Sequence, residues 1–139
     1  MKKGVRFIIC YSVLSVCLFA ISKLLFKELT AELFSYLLFY YLVTMALGIV
    51  LFSMISQLLQ KLTISIWLKV FISFIFCLLM LNILPFIFNN RILSLDVLNG
   101  IFYNRSKLAF NTLGVHIIAI ISFTICFLLF RKDKIWSNI

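Results

Sequence analysis

Four apolar runs, Val5–Phe26, Leu33–Leu59, Ile64–Phe88 and Leu108–Phe130, occupy most of this 139-residue chain. Each matches or exceeds the roughly 20 residues that a helix, rising about 1.5 Å per residue, needs to cross a hydrocarbon layer of about 30 Å. Helix is the required conformation, because hydrocarbon offers no partner to a free peptide N–H or C=O. The other solution, a closed barrel, would show polar residues alternating with apolar ones. A soluble domain is excluded by composition: 65% of the residues are hydrophobic and 12% charged, against about 45–50% and about 25% in soluble proteins. A chain of this length has too small an interior to hide that surface from water. The expected fold is an all-α integral membrane protein, residues 1–139 forming one membrane domain of four transmembrane helices in up-down hairpins.

The connectors are Lys27–Glu32, Gln60–Thr63 and the longer Asn89–Lys107, with a tail from Arg131 to Ile139. In the third connector Ile92, Leu95, Leu98 and Phe102 recur at helical spacing, which predicts a short amphipathic helix in the headgroup region, with an irregular loop as the alternative. The second run, the longest, is expected to tilt or to project on the Ser56, Gln57 and Gln60 side. An even number of spans puts both termini on one side. That side carries Lys2, Lys3, Arg6, Lys61, Lys69, Arg131, Lys132 and Lys134, against Lys23, Lys27, Arg91, Arg105 and Lys107 on the other. The excess of cations predicts cytoplasmic termini and an outward loop 89–107 in a cell membrane, a bacterial inner membrane being the expected one. Ala20, Ile21 and Ser22 read as a small-x-small cleavage site, but the run around them is long for a signal segment. Leu14–Cys17 approximates a lipoprotein box except that Val16 stands where a small residue belongs. The net charge of +9 is assigned to anionic headgroups, not to nucleic acid.

Chemistry is constrained by where acids are absent. Glu28, Glu32, Asp96 and Asp133 all lie outside the runs, so no span carries the carboxylate that proton- or cation-coupled carriers place at depth. This separates the chain from the small four-span multidrug exporters, which have its size and layout but an essential Glu in the first span. Cys10, Cys17, Cys77 and Cys126 show no CxxC spacing, and no metal or other cofactor is expected. His116 is the lone histidine and falls inside the fourth run.

Aligning the spans by their centres places Ser22, Lys23, Tyr40, Tyr41, Asn82, Asn111, Thr112 and His116 in one polar layer on the outward side of the mid-plane. Such groups should turn inward and bond across helices. The layer reads either as packing glue or as an outward polar pocket closed by loop 89–107. Pro85 removes a donor from the third span and should free the Leu81 carbonyl for Asn82 or a water, kinking the helix or simply ending it. Thr44 and Gly48 form a small-xxx-small packing face. Trp67 and Trp136 are expected in an interfacial aromatic belt. Asn104, Arg105 and Ser106 match a glycosylation acceptor, meaningful only in a eukaryotic secretory pathway.

Three functions fit these residues. The first is a non-catalytic membrane protein acting through intramembrane contact with another membrane protein or with itself, as an accessory subunit or as an immunity protein against a membrane-inserting toxin. In size, span count and basic ends the chain is similar to immunity proteins of pore-forming bacteriocins, although no motif carries that similarity. The second is a small-solute carrier or channel subunit using the polar layer and Lys23. The third is a membrane enzyme acting on a lipid-linked substrate with His116 as base.

Overall fold

The computed structural model describes residues 2–25, 31–101, 103–104, 110–132 and 136. Four helices are long and apolar enough to cross a membrane: α1 (Lys2–Leu25), α2 (Ala31–Lys61), α3 (Ile66–Asn89) and, after a short α4 (Leu93–Leu98), α5 (Thr112–Phe130). Between α4 and α5 a two-residue ladder pairs β1 (Tyr103–Asn104) with β2 (Phe110–Asn111), antiparallel, with Tyr103 opposite Asn111 and Asn104 opposite Phe110. α1 packs between α2 and α5, α3 closes the ring against α2 and α5, and α4 bridges α3 and α5. One end of the bundle thus carries the start of α1 and the end of α5, and the other carries the α4 cap.

The short helix expected in the third connector is present as α4; Phe102 lies outside the described residues. The fourth run, by contrast, becomes helical later than its apolarity suggests. Phe110 and Asn111 are in β2 and the helix begins at Thr112, because hydropathy reports which solvent a residue prefers and not which hydrogen bond its backbone makes. At 31 residues α2 is the longest helix, about 46 Å at 1.5 Å per residue, and Gln57, Gln60 and Lys61 are exposed at its end. Ser65 caps α3 through its side chain, which accepts from the Leu68 N–H at 3.3 Å. Asn90 ends the helix in a left-handed conformation (φ 51°, ψ 37°). Pro85 is therefore not the terminator: α3 runs one turn beyond it.

Two buried clusters hold the bundle. Toward the terminal end, Phe7 stacks on Phe52 at 5.4 Å and meets Phe123 edge-on at 5.6 Å, with Phe76, Cys77 and Cys126 filling in around them. Trp136 belongs to this cluster. It is 0% exposed, its ring 5.5 Å from both Phe7 and Phe127, so the expected interfacial belt does not include it; Trp67, 75% exposed, remains at the surface. Nearer the cap, Phe19, Leu81, Val115 and Ala119 form the second cluster.

Small residues set the α1–α2 distance. A Cβ on Gly4 would lie 2.5 Å from Ser56 Oγ, and one on Gly48 would lie 3.2 Å from Ile8 Cγ2. The Thr44–Gly48 face is thus consumed inside the bundle, Gly48 being buried against α1, while the Thr44 hydroxyl donates back to the Tyr40 carbonyl at 2.9 Å. Gly4→Val should force the seam apart, at a cost of about 1–3 kcal/mol for overpacking. Thermal unfolding of the detergent-solubilised protein checks this: the variant should melt earlier than wild type, and an unchanged midpoint would show that the seam is not tight.

Candidate functional site

The polar side chains gather at the capped end, around a residue that the sequence pattern does not single out. Ile92, the N-cap of α4, makes no side-chain cap hydrogen bond. A helix start leaves orphan N–H groups, and here one of them is met from another helix: the Ser94 N–H donates to Asn82 Oδ1 of α3 at 2.9 Å. The same amide donates through Nδ2 to the Ser94 hydroxyl at 2.8 Å and to the Leu78 carbonyl at 2.7 Å. Both ends of Asn82 are used, which leaves its orientation unambiguous.

His116 completes the cluster from α5. Its Nδ1 lies 2.7 Å from the Thr112 carbonyl one turn back, and its Nε2 lies 2.9 Å from Ser94 Oγ. A carbonyl can only accept, so Nδ1 carries the proton, and in the neutral ring Nε2 accepts from the Ser94 O–H. The directions form one chain: Asn82 Nδ2–H to Ser94 Oγ, Ser94 O–H to His116 Nε2, His116 Nδ1–H to Thr112 O. Thr112, 1% exposed, adds a further tie, its hydroxyl donating to the Ile101 carbonyl at 2.8 Å. Arg91 and Asp96, 3.1 Å apart, pin the approach to α4 from its solvent side.

Of the expected layer, Asn82, Thr112 and His116 are thus brought together. Tyr40 reaches the same region differently: its hydroxyl donates to the Leu81 carbonyl. That is the carbonyl four residues before Pro85, which a proline nitrogen cannot serve, so the freed acceptor is met by a tyrosine from α2 and not by Asn82. Tyr41 stacks edge-on against Tyr40 at 5.3 Å and lines an interior cavity of about 30 Å³ with Tyr11, Ser12, Ser15, Thr44 and Gly48. Ser22 donates only to the Phe19 carbonyl of its own helix, at 2.7 Å, and does not join the layer. Lys23 is buried, its ammonium 5.9 Å from the centre of the Phe19 ring. The backbone of Asn111 is in β2 and its side chain lies outside the described residues.

An open groove of about 750 Å³ runs beside the cluster between α3 and α4. Its walls are Ile75, Leu78, Leu79, Ile83, Phe86, Ile92 and Leu95, and its two polar lining residues are Asn82 and Ser94. Elsewhere, Cys10 and Cys126 bring their sulfurs to 3.4 Å between α1 and α5. Among the described residues no group of three or more His, Cys, Asp or Glu is placed to hold a metal. Lys69, counted by its charge as an interfacial residue, is 1% exposed. Ser94 escapes a reading of the sequence because it lies in a connector and meets Asn82 and His116 only across three elements; the one available signal is its place one residue before Leu95 in the α4 pattern.

Four helices long and apolar enough to cross a membrane suggest a multi-pass membrane protein. In comparisons with known proteins, no family model, no curated protein and no solved structure matches the chain. Function must therefore be argued from the site. His116→Ala strips the acceptor from a half-buried hydroxyl, a loss of about 1–3 kcal/mol, and should loosen the cap alone. Amide exchange across residues 92–101 is expected to quicken while α1 and α2 stay protected; exchange unchanged in that segment would show that the cluster does not hold the cap.

Proposed function

We propose that the chain crosses a cell membrane four times with both termini in the cytoplasm and acts without catalysis, through contact with another membrane protein or with a second copy of itself. An accessory subunit and an immunity protein against a membrane-inserting toxin are the two roles of this kind. The observation that carries this reading is the clasped cap. Asn82, Ser94, His116 and Thr112 hold α4 in one position on the bundle, and the cap presents Leu95, Ile101 and Leu98, the last 80% exposed. Apolar side chains on a fixed, outward element gain roughly 25 cal/mol per Å² when a partner covers them. The cation bias toward the terminal end supports the orientation.

A photo-crosslinker at position 98, activated in native membranes, tests it. A discrete protein adduct that disappears when Leu95→Asp is added to the same chain, with membrane insertion unchanged, is the expected result; adducts to lipid alone would overturn it. Reporters fused to the two ends should both answer from the cytoplasm.

A second reading is favoured by one specific distance. Ser94 Oγ sits 2.9 Å from an imidazole nitrogen whose other nitrogen is held by a carbonyl, which is the arrangement of a hydroxyl nucleophile, a base and an orienting group. On this reading the chain is a membrane enzyme acting on a lipid-linked substrate with His116 as base.

A further inference from the structure

We infer that Ser94 and His116 form a nucleophile–base pair that cleaves the ester of an acyl lipid whose chain lies in the α3–α4 groove. This assignment rests on the enzyme reading and adds to it a bond to be cleaved and a groove for the substrate's chain. Four observations combine. Ser94 Oγ and His116 Nε2 are within hydrogen-bond reach at 2.9 Å, and the Nδ1–H to Thr112 carbonyl bond at 2.7 Å leaves Nε2 as the free base. Asn82 Nδ2–H donates to Ser94 Oγ from 2.8 Å, which holds the oxygen in place and leaves the hydroxyl proton to point at His116 Nε2. Ser94 and Asn82 are also the polar members of the wall of the 750 Å³ groove. The other members are aliphatic or aromatic, and those from α3, Ile75 to Phe86, lie within the apolar segment Ile66–Ile87. A groove at that depth is reached from the hydrocarbon, so its occupant is a hydrocarbon chain with a polar carbonyl at the Ser94 end.

The chemistry balances with water as co-reactant. Ser94 Oγ bonds to the ester carbon while its proton passes to His116 Nε2. The tetrahedral adduct collapses by breaking the bond to the alcohol oxygen, which takes the proton from Nε2 and leaves. Water then loses a proton to Nε2 as its oxygen bonds to the acyl carbon. The bond to Oγ breaks, Oγ recovers the proton, and a fatty acid departs.

The test uses the full chain in nanodiscs of phosphatidylglycerol and phosphatidylethanolamine, treated with an alkyl fluorophosphonate. One phosphonyl adduct, mapped to Ser94 by mass spectrometry, is expected. It should be absent in Ser94→Ala and form at least about 100-fold more slowly in His116→Gln, since positioned general bases contribute about 10²–10⁴-fold. Leu79→Trp fills the groove without touching the clasp and should slow turnover of a long-chain p-nitrophenyl ester more than that of the acetate. Wild-type protein whose melting shows it folded and which takes up no phosphonate overturns the inference. Release of fatty acid from the nanodisc lipids separates the two levels. Release that persists in Ser94→Ala but ends in His116→Ala overturns Ser94 as nucleophile while keeping the enzyme reading; no release and no adduct overturn both.

Discussion

In apolar surroundings a peptide N–H has no partner except the chain's own carbonyls, and the architecture follows from that constraint. Four long helices keep their peptide bonds internal, and the irregular backbone of the described residues is confined to their ends. The proline inside α3 shows how strictly the constraint applies. Pro85 leaves the Leu81 carbonyl unserved, and Tyr40 supplies a hydroxyl to it from α2. A single proline therefore fixes the contact between two helices, because the orphaned acceptor is worth meeting only in one relative position.

Packing pairs small side chains with large ones. Gly4 and Gly48 let α1 and α2 approach closely, and large rings, Phe7, Phe52, Phe123 and Trp136, fill the space between the helices at the terminal end. With lipid as apolar as the side chains themselves, helix association depends on fit and on hydrogen bonds more than on hydrophobic burial. Trp136 illustrates it: placed by composition at the interface, it sits instead where its indole completes a cluster of rings.

The cap is held by polar groups, and the same atoms support both functional readings. As a clasp, Asn82, Ser94 and His116 satisfy one another and fix a surface. As a reactive pair, Ser94 and His116 occupy the same bonds, and Ser94 lines the open groove between α3 and α4. The readings part on whether the hydroxyl is a structural donor alone or also a nucleophile, a question of reactivity and not of position.

The four long apolar helices and the short helix of the third connector are legible in the residues, because hydropathy over about 20 residues and the period of Ile92, Leu95 and Leu98 report directly on solvent preference. Asn82, Thr112 and His116 were legible as a layer, since depth along a helix is simple arithmetic. Their partner Ser94, the rescue of the Leu81 carbonyl by Tyr40 and the burial of Trp136 and Lys69 were not. Each depends on the rotation of a helix about its axis or on where a connector folds back, and neither leaves a trace in composition. One-dimensional order therefore determined which segments form long apolar helices and where along each helix a polar group falls. Only tertiary packing decided which of those groups meet, because a hydrogen bond requires two atoms within about 3 Å, and that distance is set by neighbours far away along the chain.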